Sequence, residues 1–385
     1  MLEAADFLDD LAALGVHRFF GVPDSLLAGL ISGIEARAND PAHHGACRLE
    51  ITADEGAAVG LAIGSYLASA QPSVVFMQNS GLGNAINPLT SLTSPKVYGI
   101  PMLMLIGWRG EMTETGQIKD EPQHVFQGEI TCTMLDLLDI PYRVIGPDDA
   151  RDAISQAASD MLSTATAQAK PTALVIRKAT FAEPGKAAKP VSAFPTREGA
   201  VRTAMTHLGK TPIVATTGKI SREVYEVQRA EGIGGPTFLT VGGMGHAVMI
   251  ATGAAFSAPK RKIACFDGDG AVLMHTGSLA TSAKCPNLIH LVFNNQVHDS
   301  VGGQPTAAPD TNLTELAAAF GYCFAKRVQT TNDLSEAIKA ALDGDHASFI
   351  EIMVAPGSRA DLGRPQEPPA VSKAAFMTAI GPLND

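Results

Sequence analysis

Aromatic side chains make up only 5% of this 385-residue chain, with a single tryptophan. A core with so few rings must be built from Ala, Val, Ile, Leu and Met. That favours small-residue helices packed closely on a sheet. Cysteine is sparse as well. The five (Cys47, Cys132, Cys265, Cys285 and Cys323) are odd in number and scattered, and none forms a C-x-x-C pair. This argues against a thiolate metal site or a disulfide framework and fits a reducing compartment. Positive charge is in deficit, with 29 Lys and Arg against 39 Asp and Glu. No basic run is present, so the chain is a poor candidate for nucleic acid. A local arginine can still serve a small anionic substrate. Long apolar runs are missing too. The stretches that start at Ala53 and Val241 are broken by Asp54 and Glu55, by glycines and by His246, which argues against a membrane span. The first fifteen residues carry four acids and no basic region, unlike a signal peptide. The expectation is a cytoplasmic protein.

The length suggests two domains, or three. Short apolar runs alternate with helical segments. In the first half the strand candidates are Val16–Val22, Arg48–Thr52, Ser73–Gln78, Met102–Gly107, Tyr142–Ile145 and Thr172–Lys178. Most are continuously apolar, as parallel strands covered on both faces are. Asp24 and Asp54 are candidate caps for helices running to Ala36 and Ser69. A proline-punctuated stretch without periodicity, residues 182–196, reads as a linker. The second half offers Pro212–Thr217, Thr237–Val241, Lys262–Phe266, Leu288–Phe293, Tyr322–Arg327 and Ser348–Val354. Two doubly wound parallel-sheet α/β domains are therefore expected, over 1–181 and 197–385, with no middle domain.

The strongest local signal is Gly268-Asp269-Gly270, then 23 residues, then Asn294-Asn295. Each follows a strand candidate, and ligands of doubly wound sheets bind beyond the carboxyl ends of strands. Asp269 and Asn295 would converge there as hard oxygen donors, suited to Mg²⁺ bound through phosphate. Gly268 and Gly270 let the backbone approach a phosphate, and a helix starting near Ala271 would aim its N–H groups at it. Thr216-Thr217-Gly218 closes another strand and offers hydroxyl and amide donors.

This pattern resembles the cofactor motif of the thiamine-diphosphate-dependent decarboxylases. The resemblance implies that Asp269, Asn295 and the carbonyl of Val297 hold Mg²⁺, which anchors the diphosphate. The spacer is about a residue shorter than is usual there, and Gln296 stands where the family usually has glycine. Glu55 matches the carboxylate that hydrogen-bonds the cofactor's aminopyrimidine. Met244, in the run Gly242-Gly243-Met244-Gly245, matches the wedge that bends the cofactor, with Gly243 beside it. The resemblance also implies a homo-oligomer, with the cofactor between one chain's first domain and another chain's second.

The missing middle domain points to the short members acting on phosphonopyruvate or sulfopyruvate. The runs GVPDSLLAGL, QNSGLGNAINPLTSL, LIGWRGE, DEPQHVFQG and NNQVHDSVGGQPT resemble the phosphonopyruvate branch, and His298 and Asp299 discriminate best. The segment between Arg109 and Asp120 is longer than that branch's norm. A guanidinium suits a phosphonate, so Arg109 is the candidate anion contact, with Asn79 and Ser80 as added donors. Asp24, His124, His298 and Asp299 are the candidates for moving the proton. The rival readings are sulfopyruvate decarboxylase, another 2-oxo-acid decarboxylase or carboligase, and a non-catalytic Mg²⁺–nucleotide binder. The last lacks a G-x-x-x-x-G-K-[ST] loop.

Overall fold

A computed structural model describes residues 1–41, 47–183 and 192–381. The chain divides into two compact units: Met1–Ala187 with Val301–Gln304, and Ala188–Ser300 with Pro305–Asp385. The expected linker lies mostly in 184–191, outside the described residues. Past it, Thr196 caps the helix Arg197–Leu208 by accepting from the Gly199 N–H.

The first unit holds β1 (Arg18–Gly21), β2 (Arg48–Ile51), β3 (Val74–Gln78), β4 (Met102–Gly107), β5 (Tyr142–Ile145) and β6 (Pro171–Ile176), in the order β2-β1-β3-β4-β6-β5. Every neighbouring pair is parallel. The second unit holds β7 (Ile213–Ala215), β8 (Thr237–Leu239), β9 (Ile263–Gly268), β10 (Leu288–Asn294), β11 (Phe324–Val328) and β12 (Ser348–Met353). Its order is β8-β7-β9-β10-β12-β11, again wholly parallel. The two sheets thus share one winding scheme, although no repeat is visible in the sequence. Among the described residues the remaining strands are a two-residue antiparallel pair, Met112–Thr113 with Gly116–Gln117.

Alternating residues of each strand feed two cores, which explains the unbroken apolar runs. Val74, Phe76, Leu103 and Leu105 enter one, while Val75, Met77, Met104 and Ile106 enter the other. In the second unit Ala264, Phe266, Leu291 and Phe293 face one side, and Ile263 and Cys265 face the opposite side. Burying each large apolar side chain contributes on the order of 1.5–3 kcal/mol.

All twelve strands fall on the expected segments; Met102–Gly107 and Tyr142–Ile145 keep their bounds, and the others shift at one or both ends. β9 runs to Gly268 because Asp267 and Gly268 still pair with Val292 and Phe293. Tyr322 precedes β11 and spends its hydroxyl on Ser282. Asp24 caps a single 3₁₀ turn, Ser25–Leu27, and the α-helix starts at Ala28. Asp54 caps the helix Glu55–Ser69, accepting from the Ala57 N–H at 2.9 Å. Among the described residues no helix is long and apolar enough to cross a membrane.

Candidate active site

In the second unit the chain reverses winding direction between β7 and β9, and such switch points open a crevice beyond the strand ends. Thr216 follows β7 there, and Asp269 follows β9. The helix Asp269–Met274 starts two residues before the expected Ala271, so Asp269 is its first residue and Ala271 lies buried in its first turn. Asp269 is buried, and Thr306 Oγ1 donates to its Oδ2 at 2.6 Å. Burial pushes its carboxyl up to about 6, against the Thr306 bond and the backbone N–H groups of Asn295 and Gly270. The structure therefore brings Asp269 and Asn295 together, as the pairing of β9 with β10 requires.

Asn294 and Asn295 divide their work. Asn294 turns into the core, donating to Glu351 at 2.7 Å and accepting from the Gln296 N–H. Asn295 donates to Asp299 Oδ2 at 3.0 Å, and its Oδ1 takes the Val297 N–H at 3.3 Å. The Val297 carbonyl accepts from the Asp299 N–H at 2.9 Å, which leaves one lone pair. Gln296 sits at φ +63°, in the left-handed region that favours glycine.

Around this turn, Gly243 and Gly245 adopt positive φ. Met244 and His298 flank Gly270: a Cβ added there would lie 3.3 Å from Met244 Cε and from His298 Cε1. Burial lowers His298 to about 4, so its imidazole is neutral at neutral pH. Thr216 Oγ1 is buried without a partner, and Thr217 is half-buried before Gly218 at φ +92°. Asp299 is heavily committed. It accepts from Arg197 at 2.8 Å, from Asn295, and from the Gly357 N–H with both oxygens. Cys265, Asp267 and His290 form a buried cluster on β9 and β10, in which Asp267 accepts the Gly268 N–H at 3.0 Å.

In the first unit Asp24, Asn79 and Arg109 follow β1, β3 and β4, again around the switch point. Glu55 opens its helix and is 5% exposed. Asn84 Nδ2 donates to it at 2.7 Å, and a Cβ at Gly81 would sit 2.5 Å from its Oε1, so glycine admits the carboxyl. Burial raises Glu55 above its ordinary range, against the Asn84 bond.

Arg109 is fixed by Asp120, with Nε to Oδ2 at 2.7 Å and Nη2 to Oδ1 at 2.5 Å, while Nη1 reaches Ser25 at 3.2 Å. Burial opposes ionisation of Asp120, but the Arg109 and Glu121 donors outweigh it and hold Asp120 at about 2. Asp24 is wholly buried. Burial outweighs the nearby Arg109 charge and lifts it to about 6. His124 is lowered by burial and by the charge of Arg109. Asp24 Oδ1 and His124 Nδ1 are both buried without a hydrogen-bond partner. Asn79 is spent on the scaffold: it donates to the Arg109 carbonyl and to Thr131 Oγ1, each at 2.9 Å. Ser80 accepts from Gln78 at 2.6 Å. Asp120, Ser25, Asn84, Thr306 and Arg197 had not been singled out. Ser25, Asn84, Asp120 and Thr306 lie in the runs GVPDSLLAGL, QNSGLGNAINPLTSL, DEPQHVFQG and NNQVHDSVGGQPT, whereas Arg197 has no local signal.

Two family models match: the thiamine pyrophosphate enzyme N-terminal TPP binding domain over residues 3–136, and the C-terminal TPP binding domain over 217–352. The chain is 38% identical over 395 residues to phosphonopyruvate decarboxylase of Streptomyces viridochromogenes, covering 96% of this chain and 93% of that protein. The chain belongs to the thiamine-diphosphate-dependent decarboxylases. A second relative in that family, phosphonopyruvate decarboxylase of Streptomyces hygroscopicus, is 36% identical, with 96% and 92% covered. Sulfopyruvate decarboxylase of Methanosarcina acetivorans is 27% identical over 350 residues, with 84% and 86% covered.

Proposed function

We propose that this decarboxylase converts 3-phosphonopyruvate to phosphonoacetaldehyde and CO₂, using thiamine diphosphate and Mg²⁺. The observation that carries the substrate is the gradient of likeness. Identity is 36–38% over 96% of the chain to the phosphonopyruvate enzymes and 27% over 84% to the sulfopyruvate enzyme.

The donors suit the two groups. Asp269, Asn295 Oδ1 and the Val297 carbonyl are hard oxygens of the kind Mg²⁺ selects. The unpartnered Thr216 Oγ1, with Thr217, Gly243, Gly268 and Gly270, suits a diphosphate. Met244 supports the cofactor's bent shape. Glu55, shielded and raised in pKa, suits proton sharing with an aminopyrimidine. When bound, the thiazolium supplies the electron sink for the pair left by CO₂.

The chain's own residues do the rest. Arg109 keeps N–H groups beyond those used by Asp120 and Ser25, and these meet the anionic end of the substrate. Asn79 acts by fixing the Arg109 backbone, while Ser80 lies on the same turn. The net reaction consumes one proton. Asp24, protonated up to about pH 6, and the neutral His124 hold it in the first unit. His298 is the corresponding imidazole in the second unit, and Asp299 orients its surroundings. The division of labour, pyrimidine side over 1–181 and diphosphate side over 197–385, belongs to this proposal, as do a homo-oligomer and a cytoplasmic location.

The test is turnover of dialysed protein on phosphonopyruvate, sulfopyruvate and pyruvate, with thiamine diphosphate and Mg²⁺ added singly and together. CO₂ release with phosphonopyruvate only when both are present is the expected result. A higher kcat/KM for sulfopyruvate assigns the rival substrate, and acetolactate from pyruvate assigns a carboligase. Light scattering of the same sample reads the oligomer.

A further inference from the structure

We infer that Asp299, locked by Arg197, is a positioning residue that dictates which end of the Asn295 amide meets the cation. The inference rests on the reading of Asn295 as a metal ligand. An asparagine amide has one oxygen and one NH₂, and only the oxygen can bind Mg²⁺. A flipped amide would present two N–H donors to the ion.

The neighbours of Asn295 remove that freedom. The Asp299 carboxylate accepts only, so the Nδ2 end turns to it at 3.0 Å. The Val297 N–H donates only, so Oδ1 turns to it at 3.3 Å. The two contacts, of opposite kind on opposite ends, agree on a single orientation.

Asp299 is itself held by two further partners. Arg197 Nη1 donates to its Oδ2 at 2.8 Å, and the Gly357 N–H reaches both oxygens at 2.9 and 3.0 Å. Arg197 is 3% exposed, and Glu223 grips its other face through Nε at 2.8 Å and Nη2 at 3.0 Å. A buried guanidinium with both faces engaged cannot follow a moving partner, so Asp299 is fixed. The chain of contacts runs Glu223, Arg197, Asp299, Asn295. It ties the helix Arg197–Leu208, the helix Lys219–Glu231 and the segment after β12 to one amide. Groups that orient a metal ligand in this way are worth about 10–100-fold in metal affinity.

The experiment titrates the full chain with thiamine diphosphate by calorimetry at a series of Mg²⁺ concentrations and reads the Mg²⁺ midpoint, with the metal-free melting temperature as a fold check. Asp299→Asn leaves one accepting oxygen where Arg197, Asn295 and the Gly357 N–H now share two, so the Nδ2 end of Asn295 is no longer clamped, and the midpoint is expected to rise about 10–100-fold. Arg197→Lys keeps the charge but loses the fork and is expected to raise it too. The reciprocal pair Asn295→Asp with Asp299→Asn gives a ligand with oxygen at both ends, which needs no orienting, and is expected to recover most of the loss. A midpoint unchanged in Asp299→Asn, or in Arg197→Lys should the former not fold, overturns the inference. So does a double variant no better than Asp299→Asn. Asn295→Ala separates the two readings: an unchanged midpoint there rejects Asn295 as a ligand, whereas a raised one with normal Asp299→Asn rejects the positioning role alone.

Discussion

Replacing Asp24 with asparagine should make the cofactor-free protein more stable at neutral pH. Asp24 is wholly buried, its Oδ2 takes the Leu26 N–H at 3.2 Å, and its Oδ1 has no partner. Burial, opposed by Arg109, lifts the carboxyl from 3.8 to about 6. At roughly 1.4 kcal/mol for each tenfold, that is about 3 kcal/mol spent on holding it ionised in the fold. In the unfolded chain the proton leaves near the ordinary value; in the fold it stays to about 6. Between the two the folded state binds more protons, so stability falls as pH rises through that window and stays low above it. Asparagine can keep the Leu26 bond and carries no charge to bury, so its stability lacks this slope. The variant's advantage over the parent should therefore grow by about 1.4 kcal/mol from pH 5 to pH 7.5. Urea unfolding followed by Trp108 fluorescence reads this directly, because the only tryptophan lies in the same unit, buried and bonded to the Gly128 carbonyl. An advantage that does not change with pH refutes the reasoning. In the presence of both cofactors the same variant should lose turnover.

Glu55→Gln is expected to fold normally and lose at least ~10²-fold in CO₂ release; wild-type turnover would reject the role given to that carboxyl. Arg109→Lys removes the planar fork on Asp120 and should raise KM for phosphonopyruvate by about 10-fold, and an unchanged KM would remove Arg109 from the anion site. Gln296→Gly relieves a left-handed residue at φ +63° and should stabilise the second unit by about 1 kcal/mol. Thermal unfolding checks it, and a lower melting temperature would mean that the Gln296 side chain contributes more than its backbone costs.

What the sequence made legible is what local pattern encodes. A run such as Met102–Gly107 announces a strand because both its faces are buried, and each of its residues is. Strand ends then carry the site: once β9 and β10 are adjacent, Asp269 and Asn295 follow as neighbours without further information. Side-chain clamps have no such period. Asp120 meets Arg109 only because the intervening segment folds into a short hairpin, pinned by Gln117 on the Gly110 and Val125 carbonyls. The extra length of that segment is the means by which the pair forms. Asp299 shows the converse. Beside His298 it reads as a proton carrier, since adjacency in sequence is all a motif displays. Besides Asn295, its partners stand 102 and 58 residues away, at Arg197 and Gly357, and together they engage both its oxygens. A residue's type and its neighbours along the chain therefore indicate what it can do, whereas the donors already pointed at it decide what it is free to do. For the same reason Asn79, read as an added substrate donor, spends its amide on the Arg109 carbonyl and Thr131, while Asp24 Oδ1 and His124 Nδ1, read as proton carriers, have no hydrogen-bond partner.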